Sequence, residues 1–412
     1  MPADTDRSSG SSVHDPSKCR SSAGSGEAKG LKVCLIAFAP FPLIGGFENV
    51  VYDLSRCLGE RMDVQVISSG TTSARPVPPG VTVYPILWRS DIRYVGTLVS
   101  ILVNMYRVWR HLVAHRPDVI HAHPSYPAGV FSIPAKLLNV PLIVTSHGDD
   151  VQVDESIGYG IRLNPLKRVL LRYVLRSADA HTVVSKAMIR DSVQAGSSSE
   201  KIIVINNGVD TRAIESLSKA GSPSPVVPVD CQMVLYLGRL HPKKRPKELL
   251  RAFPEVATRI PSARLVFAGR GEEEASLREL AQNLGVSEKV QLLGFVSEEQ
   301  KWALLHRSDV FVLPSSVEAF GISLIEAMAC GSAVVASDVP PFNEIVRDGV
   351  TGILCDAGDK SELARAIADL LADPRKRELI GVSAMNDVRE RFDVHGIVDR
   401  YLEVYRSVVA SR

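Results

Sequence analysis

From residue 31 onward one rhythm governs the chain: a short apolar run, a turn, a helical pattern, then the next apolar run. The runs at 32–38, 63–68, 81–87, 118–123, 141–147, 180–185 and 201–206 read as strands, with helical patterns between them at 47–59, 91–115, 161–177 and 186–195. Apolar strands alternating with helices specify a parallel sheet covered on both faces and joined by right-handed crossovers. This accounts for one doubly wound domain over 30–218. "KAGSPSPVVPVD" (219–230), rich in Pro, Ser and Gly, reads as a linker. The rhythm then restarts over 231–392, with strands at 232–238, 264–269, 290–295, 309–314, 333–338 and 352–355, and helices at 244–258, 272–284, 297–307 and 321–330. From about 360 the chain is helical. Its last amphipathic helix, 393–412, is expected to pack back on the first domain. The expected fold is therefore α/β: two doubly wound parallel-sheet domains facing each other across a cleft.

A length of 412 residues exceeds what one core usually organises, which agrees with two domains. A net charge of +2 gives no reason to expect nucleic acid as a partner. The distribution is uneven, because 31–228 holds 20 Lys/Arg against 15 Asp/Glu, while 229–412 holds 24 against 27. A basic first half suits an acidic substrate or an anionic membrane surface, and equally an unevenly charged solvated face. Six cysteines without paired metal-ligand spacing predict free thiols in a reducing, cytoplasmic compartment. The first 29 residues are Ser/Gly-rich and are expected to be a disordered tail. "VGTLVSILVNMYRVW" (95–109) is too short for a membrane span and contains Asn104 and Arg107, so it reads as a sheet-packing or interfacial helix.

In doubly wound sheets ligands bind beyond the carboxyl ends of the strands. There the first domain offers Gly45-Gly46 before a helix, an arrangement that favours anions, and His147-Gly148 at the end of the fifth strand. Asp149 and Asp150 read better as capping carboxylates than as a metal site, and His121 and His123 as a strand-end hydrogen-bonding pair. The second domain opens with Gly238-Arg239 and then Lys243, Lys244 and Arg245 just before a helix. Cations placed against the helix dipole there make sense if an anion such as phosphate sits between. Last comes "EAFGISLIEAMACG" (318–331), with Glu318 at a helix start and Glu326 about two turns on, both pointing roughly to one side. Paired carboxylates fit acid/base work on a glycoside or the binding of sugar hydroxyls. Cations for a diphosphate beside carboxylates for hydroxyls describe a nucleotide-sugar.

These residues resemble the retaining glycosyltransferases of family 4, which have the GT-B fold. The resemblance runs from residue 31 onward and rests on E-x7-E (Glu318, Glu326), "GRL" with Lys244, "NNGVD" (206–210) and "GVTGIL" (349–354). It implies that Arg239 and Lys244 hold the diphosphate, that Glu318, Ala319, Phe320 and Gly321 hold the transferred sugar, and that Glu326 binds the ribose. It also implies that His147 lines the sugar side near the reacting carbon and that Gly46 meets phosphate or acceptor. Arg245-Pro246 departs from the family, where glycine often follows the lysine. The implied reaction is transfer of a hexosyl group from a nucleoside-diphosphate sugar to a hydroxyl acceptor (a glycan, a lipid-linked acceptor or a small molecule) with retention. No cofactor and no metal are expected, since the only DxD triplet, Asp4-Thr5-Asp6, lies in the N-terminal tail. Peripheral contact with the inner face of a membrane is a further expectation. A UDP-sugar 2-epimerase of similar shape and a non-catalytic sugar-nucleotide-binding subunit stand as alternatives. The first would turn donor over without an acceptor, and the second would bind donor and turn nothing over.

Overall fold

A computed structural model describes residues 30–42, 45–72, 75–87, 95–219, 228 and 230–412. The expected tail, most of the linker, and the first four residues of the expected helix 91–115 lie outside them. The first sheet comprises β1 (Lys32–Ala37), β2 (Asp63–Ile67), β3 (Val81–Tyr84), β4 (Val119–His123), β5 (Leu142–Ser146), β6 (Ala180–Val183) and β7 (Ile202–Val204), ordered β3-β2-β1-β4-β5-β6-β7. The second comprises β8 (Gln232–Leu237), β9 (Ala263–Ala268), β10 (Val290–Gly294), β11 (Val310–Leu313), β12 (Ala333–Ser337) and β13 (Ile353–Cys355), ordered β10-β9-β8-β11-β12-β13. Every pairing within them is parallel. In both sheets the order reverses beside the first strand, at β1/β4 and at β8/β11. The crevices at those switch points are where ligands are expected.

Each strand builds two layers because successive side chains point to opposite faces. Cys34 and Ile36 of β1 pack with the helix Val95–His115, through Ile101, Val108 and Leu112. Val33, Leu35 and Ala37 pack the other way, against Val51, Leu54 and Leu58 of the helix Gly46–Gly59. On that same face lie Ile397, Val398, Tyr401 and Tyr405 of the final helix Val394–Ala410, which therefore closes the core of the first sheet. The chain's second passage between the halves runs beside the first. Val209 N–H donates to the Phe392 carbonyl at 2.9 Å and Val394 N–H to the Val209 carbonyl at 3.0 Å. Gly208 makes that approach possible, since a Cβ there would lie 3.0 Å from the Phe392 oxygen and from Val394 Cα.

The helix Thr211–Lys219 is missing from the sequence reading. The expected helix at 161–177 resolves into a short turn, Ile161–Leu163, and a helix Pro165–Ser177, because the Asn164 side chain caps the latter by accepting from Lys167 N–H. Cys34, Cys57, Cys231, Cys330 and Cys355 are free thiols.

Candidate functional site in the interdomain cleft

From the first domain, the loop after β5 carries His147 to Gln152. Asp150 is fully buried and caps this loop: its carboxylate accepts from the backbone N–H groups of His147 (3.2 Å), Gly148 (3.1 Å) and Ser125 (3.1 Å). Burial first and the Asp149 charge second raise its carboxyl to about 7. The helix-capping role read from sequence for this acid is replaced by a loop-holding one, since no helix starts here. His147 is partly buried, with its ring 5.6 Å from that of Phe47 at the start of the helix Gly46–Gly59. Gly46 is exposed at this helix N-terminus, with open space where a Cβ would stand. Gly148 has φ +130, and a Cβ there would press on Ala319 of the other domain at 2.9 Å.

The second domain answers with β8 and β11. Arg239 follows the end of β8 and is exposed, in no ion pair among the described residues. Lys243 and Lys244 sit in a single turn, Pro242–Lys244, and the next residue, Arg245, has φ +49. That left-handed conformation is one glycine adopts without cost, which explains physically why a glycine suits the position. Lys243 lies 4.0 Å over the Tyr159 ring of the first domain, and desolvation lowers its pKa. Lys244 forms an ion pair with Glu318, whose carboxylate also accepts from Ser315 Oγ at 2.9 Å. Arg245, by contrast, turns toward the hollow lined by Asp338, Asp356 and Glu362, so the four cations do not converge as a group. The domains touch here: Gln152 Nε2 donates to the Glu318 carbonyl at 2.8 Å, and Ser185 Oγ to the Ala319 carbonyl at 2.7 Å.

Two expectations need correction. Glu318 and Glu326 do not stand two turns apart on one helix. The helix spans Ile322–Ala329 after Gly321 at φ +104, so helical spacing does not connect the two acids. Glu326 instead pairs with Lys301 Nζ at 2.8 Å, in a separate interdomain hollow of ≈ 280 Å³ lined also by Asp53, Arg75, Glu298 and Trp302. The second correction concerns Phe320. Its ring is buried edge-on against Phe392, centroids 5.6 Å apart, leaving only its backbone for a ligand. Lys301 went unnoticed in the sequence because nothing local links it to a residue 25 positions away. Among the described residues no group of three His, Cys, Asp or Glu is placed to hold a metal.

The family model described as Glycosyltransferase Family 4 matches residues 44–213, and that of Glycosyl transferases group 1 matches 222–386. A phosphatidyl-myo-inositol mannosyltransferase of Mycobacterium leprae is 32% identical over 393 residues, covering 92% of this chain and 98% of that protein. The chain belongs to glycosyltransferase family 4. Another family member, the N-acetyl-alpha-D-glucosaminyl L-malate synthase of Bacillus anthracis, is 26% identical over 91% of this chain and 97% of its own. In fold, this glycosyltransferase matches Anabaena HepE (TM-score 0.74, 23% identity, 92% of this chain and 100% of that one). It also matches the sucrose-phosphate synthase of Thermosynechococcus elongatus (TM-score 0.77, 21% identity, 93% and 100%). Its two facing parallel-sheet domains are those of GT-B glycosyltransferases.

Proposed function

We propose that this glycosyltransferase moves a hexosyl group from a nucleoside-diphosphate sugar to a hydroxyl acceptor, retaining the anomeric configuration and using no metal. The observation that carries the proposal is the Lys244–Glu318 ion pair, set beside Arg239 and Lys243 at the β8/β11 switch point, with Gly148 of the His147 loop against Ala319 across the cleft. Arg239 and Lys244 meet the diphosphate and stabilise charge developing on it as the bond to the sugar breaks. Glu318 accepts hydrogen bonds from the sugar hydroxyls, and the backbone N–H groups of Ala319, Phe320 and Gly321 donate to the sugar oxygens. Retention follows from attack on the face the diphosphate leaves, with a diphosphate oxygen taking the acceptor's proton and no covalent nucleophile. Support for the donor class comes from HepE, whose structures hold UDP with glucose and UDP-glucose. The names of the two relatives pair sugar transfer with quite different acceptors, so the acceptor is assigned only as a hydroxyl compound.

The test is turnover of UDP-, GDP- and ADP-sugars with and without alcohol acceptors, following the product's anomeric signal by NMR, in EDTA and in Mn²⁺ or Mg²⁺. Product of retained configuration, formed only with acceptor and insensitive to EDTA, is expected. Donor consumption without acceptor would instead favour an epimerase, and binding without turnover a non-catalytic subunit.

Glu326, 6% exposed and paired with Lys301, is assigned to the ribose. Glu326→Gln keeps the shape and removes the charge, so donor KM should rise about tenfold with kcat little changed. If a deoxyribose nucleotide loses as much affinity in the variant as in the parent, Glu326 does not touch the ribose.

A peripheral membrane role belongs to the same reading. No helix among the described residues is long and apolar enough to cross a membrane. The helix Val95–His115 nevertheless exposes Leu98, Leu102, Tyr106 and Trp109, and Pro165–Ser177 exposes Leu166, Val169 and Tyr173. Both flank the turn Ile133–Leu138, and neither contains an acidic residue, against Arg107, Arg110, Lys167, Arg168, Arg172 and Arg176. Each such cation near an anionic surface contributes about 1 kcal/mol, weakened by salt. Flotation should occur with anionic vesicles at low salt and fail with neutral ones. Failure with both would remove the membrane from the proposal.

A further inference from the structure

Beneath His147 runs a row of hydrogen-bonded side chains that the proposed reaction does not use. His147 Nε2 lies 2.9 Å from His123 Nδ1, and His123 Nε2 lies 3.2 Å from His121 Nδ1. His121 Nδ1 is also 2.7 Å from the hydroxyl of Tyr405, which reaches it from the last helix. On its other side His121 Nε2 is 2.6 Å from Thr145 Oγ1, itself 2.5 Å from Thr182 Oγ1, which lies 3.4 Å from the Val144 carbonyl. His121, His123, Thr145, Thr182 and Tyr405 are fully buried.

Counting hydrogens gives this row a direction. Tyr405 has His121 Nδ1 as its hydrogen-bond partner among the described residues, so its O–H must donate there or stay buried and unsatisfied. His121 Nδ1 is then an acceptor and Nε2 carries the hydrogen. The far end agrees. A carbonyl only accepts, so Thr182 donates to Val144, Thr145 to Thr182, and His121 Nε2–H to Thr145. The Tyr401 hydroxyl oxygen also accepts from both threonines and gives that end a second outlet, so the direction is set by Tyr405. A bare His123 Nε2 would set its lone pair against that of His121 Nδ1 at 3.2 Å, so His123 carries its hydrogen on Nε2 and shares this acceptor with Tyr405. Its Nδ1 then accepts from His147 Nε2–H, and His147 Nδ1 remains as a bare lone pair with no partner among the described residues.

We propose that Tyr405, acting through His121 and His123, holds His147 in the Nε2–H tautomer and so presents its Nδ1 as a hydrogen-bond acceptor to a substrate hydroxyl in the cleft. Tyr405 is thus a positioning residue, more than 250 positions away in sequence from the group it orients. Burial lowers the pKa of all three histidines, to about 3 for His121 and His147, so the row stays neutral and its direction is preserved near neutral pH. The role assigned to the His147 lone pair rests on the glycosyl-transfer reading; the tautomer itself does not.

The experiment is two-bond ¹H–¹⁵N correlation on the full chain labelled at histidine, where bare and protonated ring nitrogens resonate far apart. Expected for His121, His123 and His147 is a bare Nδ1 and a protonated Nε2. Tyr405→Phe keeps the ring and removes the donor, so the bias of roughly tenfold or more should collapse and the His147 nitrogens should move toward averaged positions. Its kcat should fall about tenfold. KM should rise for the donor if the hydroxyl belongs to the sugar, and for the alcohol if it belongs to the acceptor. Thr182→Val, which spares Tyr405, should leave the His147 nitrogens in place. A merely structural role would lower Tm without moving them. A bare Nε2 on His147 in the parent protein overturns the proposal even if Tyr405→Phe does not fold, as do unmoved His147 nitrogens in a folded variant. These spectra need no substrate, so they fail or succeed independently of whether nucleotide-sugars are turned over.

Discussion

Arg239→Ala and Lys244→Ala should each weaken nucleoside-diphosphate binding by about 2–3 kcal/mol, roughly 30- to 150-fold, while nucleoside binding barely changes. A charge-assisted contact to phosphate in a cleft is worth that much, and a nucleoside has no phosphate to lose it. The two variants should differ in stability. Arg239 is exposed and in no ion pair among the described residues, so its loss should leave Tm unchanged. Lys244 neutralises Glu318, which is 7% exposed and otherwise held by Ser315 Oγ at 2.9 Å. Removing it strands a buried carboxylate, and Tm should drop. Calorimetric titration with both ligands, beside thermal denaturation, checks this. Equal losses for nucleoside and diphosphate would remove both residues from the phosphate site.

Acid should destabilise the fold already between about pH 6 and pH 5, above the ordinary carboxylate range. Burial lowers the pKa of His121, His147 and His181 to about 3, and that of His123 well below its ordinary value of 6.5. A histidine whose folded pKa lies below its unfolded one takes up its proton only on unfolding. Its contribution is therefore intact above about pH 6.5 and is lost as the pH falls toward the folded value, at up to about 1.4 kcal/mol per pH unit. Asp150 opposes this. Raised to about 7, its carboxyl holds a proton in the folded state that the unfolded chain has released, so falling pH favours the fold through this group, and Asp53, raised by burial to about 6, acts the same way. These four histidines, joined by His111 at about 4, outweigh Asp150 and Asp53 and leave a net loss on the order of 3 kcal/mol per unit between about pH 6 and pH 5. Denaturant unfolding at pH 7, 6 and 5 measures it. A flat profile would show that these imidazoles are solvated in the folded protein.

What the sequence by itself determined is the architecture. The apolar runs read as strands each coincide with an observed strand to within a few residues, and the helices between them start and stop within a few residues of the expected positions. Strand and helix patterning is local, so a window of residues carries it. The β8/β11 end was legible for the same reason: Arg239 and Lys244 had to follow a strand, wherever the rest of the chain went. The helix Thr211–Lys219 was not, because a short, largely polar segment beside the Pro-rich stretch carries no core-facing stripe long enough to be recognised. The left-handed φ of Arg245 and of Gly321 lay equally out of view, and the second of these separates Glu318 from Glu326.

Only the tertiary structure decided which side chains meet. Lys244 and Glu318 are 74 residues apart, Lys301 and Glu326 are 25 apart, and Tyr405 and His121 are 284 apart. Each pair is set by where crossovers return the chain, and no periodicity records that. The physical reason is one of range. Backbone geometry and alternating burial act over a few residues, whereas an ion pair or a tautomer depends on an atom brought within 3 Å by the packing of whole elements. Thus the sequence could place a histidine at the end of a strand, and the last helix of the chain had to arrive before its proton had a side.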